Sequence, residues 1–232
     1  MTLQVEAIET FYGTSHILHG VSLEIADGEL YAVLGRNGAG KTTLLRSITG
    51  VNPPKKGTIT LDGVDITRIK PHQRAHIGIS YVPQGRDIIA DITAAENIQI
   101  ALLGKGVKSR KIPDFVFDYF PALAPLMQLK GGVLSGGQQQ QLAIARALVQ
   151  EPKLLLMDEP TEGLQPSVVE EIDTIIKRIP AERACAVLLV EQNLDFVRDI
   201  TQKFAILDTG RIVAGGDIGE LTAEVVQRHL AV

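Results

Sequence analysis

The most informative stretch of the sequence is Gly35-Arg36-Asn37-Gly38-Ala39-Gly40-Lys41-Thr42. It follows the apolar run Leu30–Leu34, which is typical of a strand buried on both faces. A helix with Leu44 and Leu45 on one side comes next. The stretch matches the pattern G-x-x-x-x-G-K-[ST] in full, and its position between a strand and a helix is the context of a P-loop. The alternative, a chance glycine turn, is disfavoured because both flanking elements are present.

A P-loop predicts phosphate binding by known chemistry. Its glycines let backbone N–H groups wrap the phosphates, and the following helix adds its positive end. Lys41 should reach the β- and γ-phosphates, and the Thr42 hydroxyl should bind Mg²⁺. The residues expected to contact the nucleotide here are Gly35, Asn37, Gly38, Ala39, Gly40, Lys41, Thr42 and Thr43.

A pair of acidic residues supplies a second part of the predicted site. Asp158 and Glu159 follow the apolar residues 154–157, and an acidic residue at the end of a buried strand lies at the carboxyl edge of the sheet, where ligands bind in such folds. We expect Asp158 to hold Mg²⁺ and Glu159 to polarise the attacking water as general base. A solvated strand end is the alternative, and the nearby P-loop disfavours it.

The remaining pattern predicts an α/β fold. Strands dominate the first 66 residues, helices and loops dominate residues 85–149, and strand and helix patterns alternate again after residue 153. Such alternation predicts a parallel sheet with helices on both faces. Within this pattern Thr93 opens a helix through a capping box, residues 104–111 form a polar, basic loop, and Pro180 ends a helix that begins near Val168.

Composition excludes several classes of protein. The 232 residues carry 23 basic and 27 acidic side chains, a net charge of −4, with no basic block, so nucleic acid is not expected as a partner. The longest apolar runs fall far short of the roughly 20 residues of a membrane helix. The first residues resemble no signal peptide. Cys185, in an apolar run, is expected to be a buried strand residue rather than a reactive thiol.

The string Leu134-Ser135-Gly136-Gly137-Gln138 completes the set of motifs. Ser-Gly-Gly opens a helix whose free N–H groups can face a phosphate. With the P-loop and the acidic pair, the chain resembles the nucleotide-binding subunit of the ATP-binding cassette (ABC) family. The resemblance implies ATP and Mg²⁺ as ligands, and a head-to-tail dimer in which Ser135, Gly136, Gly137 and Gln138 contact the γ-phosphate held by the other subunit.

The same resemblance implies a fold and two further site residues. The fold is a P-loop NTPase (RecA-like) core with a mostly parallel sheet, an N-terminal antiparallel β subdomain and an inserted α-helical subdomain. One domain, residues 1–232, would then divide into a core, about 1–84 and 150–232, and a helical part, about 85–149. Tyr12 resembles the aromatic residue that stacks on adenine, with an ordinary strand aromatic as the alternative. Gln84 resembles the glutamine that contacts Mg²⁺ and takes part in catalysis.

Two segments depart from the family pattern. Gln192 stands where the family usually has a histidine that contacts the γ-phosphate; an amide can donate a hydrogen bond but carries no charge. The alternative is that Gln192 only caps the following helix. Residues 162–165, Glu-Gly-Leu-Gln, replace the usual Ser-Ala-Leu-Asp, which puts the role of an aspartate there in doubt.

These departures narrow the resemblance to ATPases of bacterial importers for branched-chain amino acids and urea. The strings Pro83-Gln84-Gly85-Arg86 and Thr161-Glu162-Gly163-Leu164-Gln165-Pro166 favour the urea type. The implied partners are a second ATPase subunit (a copy or a paralogue), two permease subunits and, indirectly, a solute-binding protein, at the cytoplasmic face of the inner membrane. The alternatives are a soluble ABC protein of translation or DNA repair and the ATPase of a lipid exporter.

Overall fold

The computed structural model describes residues 2–106 and 111–230. Its strands are β1 (Leu3–Tyr12), β2 (Ser15–Ile25), β3 (Leu30–Leu34), β4 (Lys56–Leu61), β5 (Val64–Asp65), β6 (Ile79–Val82), β7 (Leu154–Asp158), β8 (Ala186–Glu191), β9 (Lys203–Asp208) and β10 (Arg211–Asp217). Its helices are α1 (Lys41–Thr49), α2 (Pro71–His76), α3 (Ala94–Gly104), α4 (Phe115–Tyr119), α5 (Gly136–Leu148), α6 (Pro166–Arg183), α7 (Leu194–Ile200) and α8 (Ala223–His229). Short 3₁₀ turns cover Pro121–Leu126, Gly131–Val133 and Ile218–Glu220.

The described strands form two sheets. The larger has the order β10-β9-β3-β8-β7-β6, and all its pairs are parallel except that of β10 with β9. The smaller has the order β2-β1-β4-β5, with antiparallel pairs throughout. This arrangement confirms the predicted mostly parallel sheet and the antiparallel β layer near the N-terminus.

The larger sheet separates two hydrophobic cores. Because successive side chains of a strand point to opposite faces, β3 contributes Leu30, Ala32 and Leu34 to one core and Tyr31 and Val33 to the other. The first core also holds side chains of α5, α6 and α7, and the second holds those of α1 and the smaller sheet. Burial on both faces explains why β3, β7 and β8 read as continuous apolar runs.

The first helix after residue 85 begins at the predicted capping box. The Thr93 side chain accepts from the N–H of Glu96, the Glu96 carboxylate accepts from the N–H of Thr93, and α3 follows. The predicted polar loop of residues 104–111 is covered only in part: Gly104 ends α3, and residues 107–110 lie outside the described residues.

Pro180 does not end its helix, so that prediction was wrong. The helix α6 continues through Pro180 to Arg183, and the chain leaves it at Ala184, which has a φ of 47°. A proline inside a helix removes one N–H donor, here the partner of the Ile176 carbonyl. The loss is tolerated one turn from the end because Ile176 and Ile179 are fully buried and hold the helix on the sheet.

Two further predictions concern the environment of Cys185 and the presence of membrane helices. Cys185 is fully buried directly before β8, and burial raises the pKa of its thiol to about 12, as expected for an unreactive cysteine. No helix within residues 2–106 and 111–230 is long and apolar enough to cross a membrane.

Candidate functional site

Three parallel strands bring the predicted site together at one edge of the larger sheet. Leu34, the last residue of β3, pairs with Glu191 of β8, and Asp158 of β7 pairs with Val190. The segments that follow these strands therefore start side by side at the carboxyl edge of the sheet. Ligands of open α/β sheets bind at this edge.

Glycine is required in the P-loop at two positions. A Cβ on Gly35 would lie 2.4 Å from the backbone oxygen of Leu207 in β9. Gly40, at the N-cap of α1, has a φ of 109°, which side chains with a Cβ rarely adopt. The loop therefore packs against β9 while its backbone turns into α1.

Lys41 lies inside the loop and is paired with an acid. Its Nζ donates to the carbonyl oxygens of Gly35 at 2.7 Å and Arg36 at 3.2 Å. The same Nζ lies 2.9 Å from Glu159 Oε1, and the two side chains are only 5% and 7% exposed. The charge of Lys41 is thus fixed between the P-loop and the predicted general base.

Asp158 is 1% exposed and accepts two hydrogen bonds. Its Oδ1 accepts from Thr42 Oγ1 at 3.2 Å, and its Oδ2 accepts from the Tyr81 hydroxyl at 3.0 Å. Burial raises the pKa of Asp158 above its ordinary value, and the two hydroxyls oppose that shift. Sequence patterns did not identify Tyr81, because it lies on β6 and reaches Asp158 through the pairing of β6 with β7.

Gln192 bridges the acidic pair and the P-loop. Its Nε2 donates to Glu159 Oε1 at 2.8 Å and to Asn37 Oδ1 at 2.9 Å. It is not the cap of α7: Asn193 takes that position and accepts from the N–H of Phe196. The alternative interpretation of Gln192 as a helix cap is therefore wrong.

Gln84 contacts the segment that departs from the family pattern. Its Nε2 donates to Glu162 Oε2 at 3.0 Å, and Arg86 donates to the Glu162 backbone oxygen at 3.5 Å. Arg86 also donates to Gln140 Oε1 of α5 at 3.3 Å. Glu162 thus takes part in a contact between Gln84 and the segment after Glu159, which the sequence did not predict.

A cavity of about 330 Å³ collects most of these groups. It is lined by Ile17, Arg36, Asn37, Gly38, Gly40, Lys41, Thr42, Thr43, Gln84 and Glu159. Asp158 and Gln192 do not line it but are hydrogen-bonded to residues that do. The Thr42 hydroxyl, the Asp158 carboxylate and the Gln84 amide offer oxygen donors, the ligand type that Mg²⁺ prefers, so these residues fit that ion.

The motif at residues 135–138 opens α5 as predicted but lies outside this cavity. Ser135 is the exposed N-cap: its Oγ accepts from the N–H of Gln138, and its own N–H donates to Gln138 Oε1. A Cβ on Gly136 would lie 3.1 Å from Arg86 Nη1, and a Cβ on Gly137 would lie 2.7 Å from Val168 Cγ1. The two glycines thus let Arg86 and α6 approach the start of α5.

Tyr12 is available at the protein surface. It ends β1, is 42% exposed, and its hydroxyl accepts from Arg46 Nη1 of α1 at 3.3 Å. Like residues 135–138, it does not line the cavity around Lys41.

Comparison with known proteins agrees with this geometry. A family model described as ABC transporter matches residues 18–162, which hold the P-loop, residues 135–138, Asp158 and Glu159. The chain belongs to the ABC transporter family. As an ABC transporter ATP-binding subunit it binds ATP and hydrolyses it, and its described fold is the P-loop NTPase fold of that family.

Two curated relatives cover nearly the whole chain. The probable branched-chain amino acid transport ATP-binding protein LivF of Archaeoglobus fulgidus is 38% identical over 222 residues, 94% of this chain and 93% of LivF. The high-affinity branched-chain amino acid transport ATP-binding protein BraG of Pseudomonas aeruginosa is 35% identical over 212 residues, 91% of each chain.

Solved structures of ABC cassettes share the fold. The ADP conformation of the ATP-binding cassette MJ1267 matches with a TM-score of 0.83 and 28% identity, covering 98% of both chains. The dimeric structure of the bacterial ABC transporter cassette MJ0796 matches with a TM-score of 0.83 and 27% identity, covering 93% of this chain and 98% of MJ0796.

Proposed function

We propose that this ATPase energises the uptake of a small polar solute through separate permease subunits. The observation that carries the proposal is the convergence of Lys41, Asp158, Glu159 and Gln192 at one sheet edge, in a chain whose near full-length relatives are named as transport ATP-binding proteins. The geometry supports the hydrolytic step, and the relatives support import as its use.

In the proposed reaction, the P-loop holds the phosphates of ATP. Lys41 leaves Glu159 to contact the β- and γ-phosphates, because the phosphate charge competes for the same Nζ. The freed Glu159 carboxylate accepts a proton from water as the water oxygen bonds to the γ-phosphorus and the bond to ADP breaks. Gln192 donates to a γ-phosphate oxygen from its place between Glu159 and Asn37.

Mg²⁺ would be held by Thr42 and Asp158, with Gln84 nearby, and would neutralise charge on the phosphates. Asp158 is prepared for this by its two hydroxyl donors, which orient its carboxylate. Gln84 would also connect the metal to the helical part, because Arg86, two residues later in the same segment, contacts Gln140 of α5. We propose the division into a core, residues 1–84 and 150–232, and a helical part, residues 85–149, around this connection.

We propose that residues 135–138 act on the ATP of a second ATPase subunit. Within one chain they lie outside the cavity around Lys41, yet they present an exposed N-cap and a glycine-rich helix start, which suits an anion. A head-to-tail pair would place them against the partner's γ-phosphate. The second subunit is a copy of this chain or a paralogue, and Tyr12 stacks on adenine at the outer side of the site.

The further partners proposed are two permease subunits and, indirectly, a solute-binding protein, with this chain peripheral to the cytoplasmic face of the inner membrane. No nucleic acid is proposed as a partner. ATP closes the dimer and product release opens it, and the helical part passes this motion to the permeases.

The transported solute is proposed as a branched-chain amino acid or urea. LivF and BraG, by their names, serve branched-chain amino acids, and further relatives are named for import of methionine and phosphonates. The strings at residues 83–86 and 161–166 favour urea, and that preference stays a prediction. An ATPase of translation, of DNA repair or of a lipid exporter gains no support from the relatives named here.

Reconstitution tests the proposal. The chain, its paralogue and the neighbouring permeases are placed in vesicles with the solute-binding protein, and ATP-driven entry of labelled leucine and labelled urea is measured. Entry of either solute that is lost with Lys41→Ala supports the importer, and the labelled solute that enters identifies the substrate. ATP hydrolysis without entry of any solute, or ATP-driven efflux of lipid, would contradict it.

A further inference from the structure

Glu191 is a buried carboxylate without a role in the reaction described above. It ends β8, is 3% exposed, and accepts four hydrogen bonds. Its Oε1 accepts from the N–H and the hydroxyl of Thr161, at 3.1 and 2.7 Å. Its Oε2 accepts from the N–H groups of Gln192 and Asn193, at 3.0 and 3.3 Å.

The two oxygens of Glu191 serve two different segments. Oε1 holds the segment that follows Glu159, and Oε2 holds the segment that begins with Gln192. These are the two segments whose side chains meet where Gln192 Nε2 donates to Glu159 Oε1 at 2.8 Å. One carboxylate therefore fixes both sides of the contact between the general base and the proposed phosphate-contacting amide.

The backbone of Glu159 needs such support. Its φ is 48°, in the left-handed region, although it is not a glycine. Strained backbone of this kind persists only where surrounding contacts fix it. The N–H of Glu159 donates to the Val190 oxygen at 2.9 Å, and Thr161, two residues later, is held by Glu191, so both anchors of the strained segment lie at the end of β8.

We propose that Glu191 is a positioning residue that sets the contact between Glu159 and Gln192, and with it the rate of ATP hydrolysis. The proposal rests on the roles of Glu159 and Gln192 proposed above. A carboxylate is suited to the position because both of its oxygens only accept, whereas the amide of a glutamine would turn a donor toward one of the two segments.

The test compares variants by single-turnover hydrolysis in the assembled transporter and by calorimetry of ATP binding. Glu191→Gln should lower the hydrolysis rate about ten- to hundredfold, while the dissociation constant for ATP changes less than about threefold. Thr161→Val, which removes one donor and fills the same space, should lower the rate about tenfold. Thr161→Ser, which keeps the hydroxyl, should retain the wild-type rate. If Glu191→Gln fails to fold, the comparison of Thr161→Val with Thr161→Ser still tests the proposal.

Glu29→Gln is the matched control. The Glu29 carboxylate also accepts from a backbone N–H, that of Ala26 at 2.8 Å, and it pairs with Lys203 at 2.9 Å, directly before β3. Its position lies at the opposite end of that strand from the P-loop. The rate of hydrolysis should stay at the wild-type value in Glu29→Gln.

A double variant separates positioning from general loss of structure. If Glu191 acts through the contact of Glu159 with Gln192, then Glu191→Gln combined with Gln192→Ala loses less than the product of the two single losses. Fully multiplicative losses, or wild-type rates in both Glu191→Gln and Thr161→Val, would overturn the proposal while leaving Glu159 and Gln192 in place. A wild-type rate in Gln192→Ala alone would overturn the proposed role of Gln192 and this inference with it.

Discussion

At the scale of single residues, the two acids of the site have different surroundings. Asp158 accepts from the neutral hydroxyls of Thr42 and Tyr81, and burial raises its pKa. Glu159 is paired with Lys41 and accepts from Gln192. The difference suits the proposed roles, because the two hydroxyls orient Asp158 for a metal ion, whereas Glu159 would lose Lys41 to the phosphates and then accept a proton from water.

Replacing the Asp158 carboxylate is expected to stabilise the fold at neutral pH. A carboxyl whose pKa is higher in the folded state lowers stability as pH rises from its unfolded pKa through its folded pKa. At neutral pH without nucleotide and metal, Asp158→Asn should therefore raise the midpoint of thermal unfolding, and the gain should vanish on acidification. Thermal unfolding in a metal chelator from about pH 4 to about pH 8 measures this.

Asp65→Asn is the control, and its expected effect on stability is the opposite of that of Asp158→Asn. The Thr67 hydroxyl and N–H hold the pKa of Asp65 below its ordinary value, so this carboxylate stabilises the fold at neutral pH, and the effect is lost as pH falls through the lowered pKa. Its replacement should lower the unfolding midpoint at neutral pH. A loss of stability in Asp158→Asn as well would contradict the account of Asp158.

Two variants of Gln192 are expected to differ in their rate of ATP hydrolysis. Gln192→Ala should lose about 1.5–3 kcal/mol of transition-state stabilisation, the usual value of a hydrogen bond to a charged group, or about ten- to hundredfold in rate. Gln192→His should stay within a few-fold, because it keeps a donor. Single-turnover hydrolysis checks both, and full activity of the alanine variant would remove Gln192 from the reaction.

The sequence predicted the residues of the site that belong to local motifs. Lys41 and Thr42 stand in one continuous pattern, and Asp158 and Glu159 follow one apolar run. The contact of Tyr81 with Asp158 and that of Thr161 with Glu191 could not be predicted, because each joins segments far apart in the chain and depends on the order β8-β7-β6. Contacts of this kind follow from topology rather than from spacing along the chain.

At the scale of elements, the P-loop is held by its fit against β9. A Cβ on Gly35 would lie 2.4 Å from the Leu207 backbone oxygen, so Gly35→Ala must move the loop or the strand. We expect a loss of about 1–3 kcal/mol in the free energy of unfolding, the usual cost of overpacking, together with weaker ATP binding. Chemical denaturation and calorimetry measure the two effects.

Gly104→Ala is the control for that variant. Gly104 lies in α3, and a Cβ there would meet nothing within 4 Å. Alanine is favoured over glycine in a helix by about 0.5–1 kcal/mol, so this change should stabilise slightly and leave ATP binding unaltered. Equal stability of Gly35→Ala and the wild type would refute the steric account.

Elements were predicted well where local chemistry determines them. The capping box at Thr93, the start of a helix at Ser135 and the apolar run of β3 depend on neighbouring residues only. The end of α6 was predicted wrongly, because the burial of Ile176 and Ile179 against the rest of the protein outweighs the local effect of Pro180. Much of the stability of a helix comes from tertiary packing, which cannot be inferred from one residue of its sequence.

In the assembled ATPase, a change within residues 135–138 should affect dimerisation without affecting ATP binding by the isolated chain. Ser135→Arg should leave the affinity of the isolated chain for ATP unchanged and block ATP-driven dimerisation, because the exposed Ser135 lies outside its own chain's cavity. Light scattering with and without ATP measures assembly, and calorimetry measures binding.

Ser135→Ala controls for the helix cap. It removes the same cap at a cost of about 1 kcal/mol but adds no bulk, so it should still dimerise. Loss of ATP affinity in the isolated Ser135→Arg chain, with affinity retained in Ser135→Ala, would contradict action on a second subunit.

ATP binding and hydrolysis by Glu159→Gln test whether Glu159 gives up Lys41 and acts on the attacking water. The variant should bind ATP at least as tightly as the wild type, because a neutral amide competes less with the phosphates for Lys41 Nζ than the Glu159 carboxylate does, 2.9 Å away. Its single-turnover hydrolysis in the assembled transporter should be about 10²- to 10⁴-fold slower, the usual contribution of general-base catalysis. Near-normal turnover with unchanged ATP affinity would contradict the account.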